Sequence, residues 1–118
     1  MIAQPPPKSD RIGTVTSETF EQLVLQGKGP IAVEFMSYGC AHCRAIEPIL
    51  RQAAEKIGAK EHLYRVSVAA DAELASSYQI EGTPTFGMFL DSREVGRVVG
   101  PHPVLSTIVD AVTRPFES

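Results

Sequence analysis

The 118-residue chain has no tryptophan, only two cysteines and no excess of positive charge. Two cysteines exclude the multi-bridge framework that staples small secreted domains. A net charge of −3 leaves no electrostatic footprint for nucleic acid or for an anionic membrane surface. No apolar run approaches the roughly 18 residues that a spanning helix needs. Met1 to Gly13 carries Pro5-Pro6-Pro7 where a signal peptide would need an apolar centre. The chain therefore reads as cytoplasmic and monomeric, with neither nucleic acid nor membrane as a partner. A periplasmic protein whose leader had been removed would read the same way.

What is present is ordinary for a globular domain, with 43% hydrophobic and 21% charged residues. At this length one domain can build a core without disulfide staples. Residues 1–13 read as a flexible N-terminal tail, proline-rich and aperiodic, and residues 14–118 as the folded domain. Thr16 or Ser17 can cap a short helix with Phe20, Leu23 and Val24 on one face, and Gly27-Lys28-Gly29-Pro30 ends it. Ile31 to Met36 reads as a strand covered on both faces, interrupted only by Glu34. Ile46, Ile49, Leu50, Ala53 and Ile57 fall on one side of a helix that begins near Cys40. Glu47, Arg51 and Glu55 form a charged ladder on its other side, and Pro48 predicts a bend within it.

Further on, Leu63 to Val68 has strand character, and Asp71 can cap a short helix through Tyr78. Thr85 to Leu90 and Glu94 to Val99 read as a hairpin turning near Asp91-Ser92. Pro103 suits the first position of a last helix striped by Val104, Leu105, Ile108, Val109 and Val112. Helices and strands alternate until that final hairpin and helix. The pattern describes an α/β fold with a central mixed sheet flanked by helices on both faces.

Both cysteines lie in Cys40-Ala41-His42-Cys43, between the hydrophobic strand and the start of the long helix. A helix N-terminus favours a thiolate, because its free N–H groups and dipole stabilise negative charge. Two thiols at this spacing can close into a small disulfide ring and reopen. Next to a βαβ pattern, that is a redox signal.

From Val15 onward these residues resemble the thioredoxin family. Val33-Glu34-Phe35 is similar to that family's buried strand with its central acid. Cys40 to Cys43 is similar to its redox motif, Arg44 to the basic residue that follows, and Pro48 to its helix proline. Ile80-Glu81-Gly82-Thr83-Pro84-Thr85 resembles the segment carrying its cis-proline, and Gly100 a glycine bordering its substrate groove. Three departures stand out: Gly39 replaces a tryptophan, Ala41-His42 replaces Gly-Pro, and Met36 stands where a second tryptophan is common. A histidine before the second cysteine is similar instead to protein disulfide isomerases and periplasmic disulfide oxidases.

The resemblance implies a thioredoxin-like fold and thiol–disulfide exchange on protein disulfide or dithiol substrates, with no bound cofactor. Electrons would come from a reductase or oxidase partner or from a small thiol. Cys40 would attack and Cys43 resolve. An imidazolium at His42 would favour the Cys40 thiolate, making the pair more oxidising than one in Cys-Gly-Pro-Cys. Glu34 is either at a strand edge in water or a buried acid near Cys43. The resemblance favours the second, with Arg65 pairing to it and holding it ionised. Tyr38, Gly39, Ala41, Thr83, Pro84 and Gly100 would form the substrate surface, with Pro84 in a cis bond. His62 and His102 read as surface residues. Two other readings stay open: a binding module whose thiols are vestigial or regulatory, and a thiol-based metal carrier.

Overall fold

The run Ile31–Met36 is apolar apart from Glu34, with β-branched Ile31 and Val33 and aromatic Phe35 favouring a strand, and all six of its residues are buried as strand β2. The computed structural model, which describes residues 11–117, sets β2 at the centre of a five-stranded sheet. Strand β3 (His62–Ser67) runs parallel to it on one side, and β4 (Thr85–Leu90) antiparallel on the other. Outside these lie β1 (Ile12–Thr14), parallel to β3, and β5 (Arg93–Val99), antiparallel to β4, giving the order β1-β3-β2-β4-β5. Asp91 and Ser92 join β4 to β5 with φ of 52° and 72°, the left-handed pair that suits a two-residue hairpin turn.

Helices cover both faces. On one face, α1 (Ala41–Ile57) and α3 (Leu105–Thr113) bring Ile46, Leu50, Ala53, Ile108 and Val112 onto Ala32, Leu63, Phe86 and Met88. Each large side chain buried there contributes about 1.5–3 kcal/mol by removing apolar surface from water. On the other face, the helical turn Glu21–Leu25 and α2 (Ala72–Ser77) close over Val33, Phe35, Val66 and Phe89. Tyr78 stands edge-on to Phe89 there at 5.5 Å between ring centroids. The mixed sheet flanked on both sides is the architecture the sequence predicts. The start of α1, which carries the cysteines, follows directly from the C-terminal end of β2.

Four local readings need correction. Strand β1 includes Ile12 and Gly13, which the sequence assigns to the tail; Ile12 is buried and pairs with Leu63. The remaining tail residues, including Pro5-Pro6-Pro7, lie outside the described residues. Neither Thr16 nor Ser17 caps the first helical turn with its side chain. The Thr19 hydroxyl accepts the Thr16 N–H at 3.0 Å, and Ser17 donates both its N–H and its hydroxyl to Asp71 Oδ1 at 2.9 Å. Asp71 is thus spent on Ser17 and makes no side-chain cap for α2. Helix α3 begins at Leu105, because the Val104 N–H closes a tight turn onto the His102 carbonyl at 2.8 Å; Val104 itself is exposed.

Candidate active site

Cys40 is the N-cap of α1. Its extended backbone (φ −84°, ψ 118°) turns the side chain back over the first helical turn, where its sulfur accepts the Cys43 N–H at 3.2 Å. The attraction that a serine or aspartate oxygen exerts at this position is supplied here by sulfur. Both cysteines are free thiols, Cys40 partly exposed and Cys43 buried. Desolvation pushes the Cys40 pKa up, but hydrogen bonds from Cys43, the Thr83 side chain and the His42 amide outweigh it, and the net shift is downward. For Cys43, burial comes first and donation to the Cys40 sulfur second, and together they push its pKa up to about 11. The two thiols are therefore unlike: one poised to ionise and reachable, the other held protonated beneath it.

The Thr83–Pro84 peptide is cis, as the resemblance implies, and the Cys40 thiol donates to the Thr83 carbonyl at 3.5 Å. The Gly100 N–H donates to the Pro84 carbonyl at 2.8 Å, tying the end of β5 to this loop. Gly100 has φ of 56°, and a Cβ built there would lie 3.5 Å from His42 Cε1. His42 Nε2 meets the Pro101 carbonyl oxygen at 2.8 Å. Gly39 and Ala41 are exposed beside the thiols, and a Cβ on Gly39 would meet only Ser37 Oγ, at 4.0 Å. Cys40, His42, Thr83, Pro84 and Gly100 are thus gathered in one place. Tyr38 is exposed and lines a different pocket, of about 270 Å³, with Met36, Cys43, Arg44, Glu47 and Arg65.

Glu34 is 1% exposed, and neither of its carboxyl oxygens has a hydrogen-bond partner among the described residues. It is a buried acid. The expected pair with Arg65 does not form, although the two residues are in register on β2 and β3. Arg65 instead puts one terminal nitrogen 2.9 and 2.6 Å from the carboxyl oxygens of Glu47 on α1. Burial, followed by the charge of Glu47, raises the Glu34 pKa to about 7 against the opposing pull of Arg65. The expectation that Glu34 is held ionised is therefore overturned, because its presumed counter-ion is taken by a closer and more solvated carboxylate.

The thioredoxin family profile matches residues 11–113. Thioredoxin C-2 of Corynebacterium nephridii is 32% identical over 104 residues, covering 86% of this chain and 96% of that protein. Thioredoxin 1 of Synechococcus elongatus is 33% identical over 89 residues, 75% of this chain and 83% of its own length. The chain belongs to the thioredoxin family. Thioredoxin from Pseudomonas aeruginosa is similar too, at 29% identity over 92 residues, 78% of this chain and 85% of the relative.

As a thioredoxin-family protein it is a protein-disulfide oxidoreductase with a Cys40/Cys43 dithiol. His62 stacks on Tyr64 on β3. Among the described residues no three His, Cys, Asp or Glu side chains cluster as metal ligands would, and no helix is long and apolar enough to cross a membrane. Two acids escaped the sequence reading. Glu47 looked like one rung of a solvated ladder, and its contact with Arg65 spans 18 positions, beyond any local pattern. Glu61, buried at the start of β3, sits between Lys60 and His62 with nothing in its neighbours to signal burial.

Proposed function

We propose that this thioredoxin-family protein exchanges disulfides with protein substrates through Cys40 as nucleophile and Cys43 as resolving thiol, with Glu34 as the proton acceptor of Cys43. The observation that carries the reading is the asymmetry of the pair: a partly exposed Cys40 sulfur held by the Cys43 N–H at 3.2 Å, above a buried Cys43. The Cys40 thiolate attacks one sulfur of the substrate disulfide, and the other leaves as a thiolate. Cys43 then gives its proton to Glu34, through a water, and attacks Cys40 Sγ. The substrate's second thiolate departs, and two electrons have passed to the substrate as Cys40 and Cys43 become a disulfide. A dithiol reductase or a small thiol restores the reduced pair. In the opposite direction, the same steps oxidise a substrate dithiol.

The groove formed by Thr83, Pro84, Gly100, Gly39 and Ala41 suits an extended peptide held by backbone hydrogen bonds. A monomer working in the cytoplasm, where thiols are kept reduced, fits this chemistry. The pair is more oxidising than that of a Cys-Gly-Pro-Cys thioredoxin, since every donor to the Cys40 thiolate stabilises the reduced form. Support for that comes from the amides of His42 and Cys43 and the Thr83 side chain, all lowering the Cys40 pKa.

Insulin reduction with dithiothreitol tests the activity. Cys40→Ser abolishes it, and Cys43→Ser accumulates mixed disulfides with substrate. Trapping by Cys40→Ser instead would reverse the assigned roles, and no reduction by the unaltered protein would leave a binding module. Equilibration with glutathione tests the potential: a value at or below that of a Cys-Gly-Pro-Cys thioredoxin would remove the claim of an oxidising pair.

A further inference from the structure

Glu34 and Arg65 occupy partnered positions on adjacent parallel strands, so their side chains project from the same face of the sheet, toward α1. Opposite charges so placed would ordinarily meet. Here the Arg65 guanidinium rises to the helix, where Glu47 takes it at 2.6 Å and Arg51 Nε holds the same carboxyl oxygen at 2.8 Å. The side chain of Glu47 keeps 26% of its surface in solvent, whereas Glu34 keeps almost none. An ion pair at the edge gives up less hydration than one at the buried position, which explains why the guanidinium settles where it does.

We propose that Glu47 is a positioning residue: it holds Arg65 against α1 and so denies Glu34 a counter-ion. The inference rests on the reading of Glu34 as proton acceptor for Cys43 and deepens it. A carboxylate pinned by a guanidinium would accept the Cys43 proton but return it poorly. Freed of that partner, Glu34 can do both near neutral pH: it takes the proton when Cys43 attacks the mixed disulfide and returns it when the Cys40–Cys43 disulfide is reduced again. The groups that face Glu34 are few. Helix α1 contributes Glu47 and its N-cap Cys40; β3 contributes Arg65; β4 contributes Phe86, which carries no charge. Of these, only Arg65 is a cation, and only Glu47 and Arg51 hold the pair at the helix.

The test is a pH titration of the Glu34 side-chain carboxyl by carbon NMR in the reduced protein. It compares the unaltered chain with Glu47→Gln, Arg65→Gln and the double variant. Glu47→Gln releases the guanidinium toward Glu34, and the Glu34 midpoint falls by about one to three pH units, as a nearby opposite charge produces. In the Arg65→Gln background the same substitution moves the midpoint far less, because no guanidinium remains to be released. An unmoved midpoint in Glu47→Gln overturns the proposal. So does an equal fall in both backgrounds, which would mean that Glu47 acts only by its own repulsion. Glu47→Ala, which also removes the carboxylate, gives the same pattern by the same route. In single turnover, Glu47→Gln moves the pH profile of mixed-disulfide resolution to lower pH and leaves that of Cys40 attack in place. Loss of resolution's dependence on Glu34, seen as an unchanged profile in Glu34→Gln, would sink the proton-acceptor reading while the titration still decided the position of Arg65.

Discussion

His42 Nε2 lies 2.8 Å from the Pro101 carbonyl oxygen, which moors the imidazole to the segment that follows β5. A carbonyl can only accept, so Nε2 carries a proton whatever the state of the other ring nitrogen. What His42 adds to the lowering of the Cys40 pKa comes through its backbone amide. The histidine thus serves the site twice, its ring fixing the groove wall and its N–H favouring the thiolate.

These two contributions separate by substitution. His42→Ala keeps the amide and leaves the Cys40–Cys43 potential close to that of the unaltered protein. His42→Pro removes the amide as well and lowers the potential by about 30 mV, one tenfold step in the exchange equilibrium. Equilibration of both variants with a glutathione buffer distinguishes the cases. An alanine variant that drops as far as the proline variant would assign the effect to the ring.

Alkylation reads the asymmetry of the two thiols directly. Cys40, with its pKa lowered despite desolvation, reacts with iodoacetamide through a midpoint below that of an ordinary cysteine. Cys43, buried and pushed up to about 11, stays unmodified at neutral pH until the protein is unfolded. Mass mapping after short labelling at several pH values gives the order. Early modification of Cys43 in the folded protein would contradict it.

Gly100 holds φ of 56° beside His42. A left-handed conformation costs an ordinary L-residue about 1–2 kcal/mol, and a Cβ there would sit 3.5 Å from His42 Cε1, an ordinary contact. Gly100→Ala therefore loses about 1–2 kcal/mol of unfolding free energy through backbone strain alone. Gly100→Asn loses less, since asparagine tolerates this region. Urea unfolding measures both. Equal losses would mean that bulk in the groove, and not φ, sets the cost.

The sheet and its two helical layers were legible because local pattern decides them. Ile31–Met36 has no polar residue but Glu34, and the apolar stripe of α1 repeats at helical spacing. The cysteine motif at a strand-to-helix junction carried the chemistry in the same way. Illegible were the features set by choice among competitors. Arg65 had two carboxylates within reach, one on the neighbouring strand and one on the helix above, and no sequence pattern ranks their solvation. Asp71 likewise had its own helix to cap and took Ser17, 54 positions away. Strand β1, only three residues long, is held by its pairing with β3 and has too short a run for alternation to show.

Glu61 offers a stability test far from the thiols, at the N-terminal end of β3 in a pocket with Arg11, His62 and Leu63. It is 9% exposed, and its Oε2 has no hydrogen-bond partner among the described residues. Burial raises its pKa from 4.5 to about 8. A group that binds its proton more tightly when folded gives its full contribution below the unfolded pKa and loses it as pH rises through the folded one. Glu34, raised to about 7, adds in the same direction. Stability of the unaltered protein therefore falls from mildly acid to mildly alkaline pH. Glu61→Gln removes the charge that burial penalises and gains about 1–3 kcal/mol at alkaline pH, the scale of one unsatisfied buried group. At pH about 4, where the glutamate is mostly protonated in both states, the gain all but vanishes. Urea unfolding at the two pH values measures the difference, with insulin reduction unchanged because the site lies at the opposite end of the sheet. An equal gain at both would place the benefit in packing, and no gain at alkaline pH would mean that Glu61 is solvated.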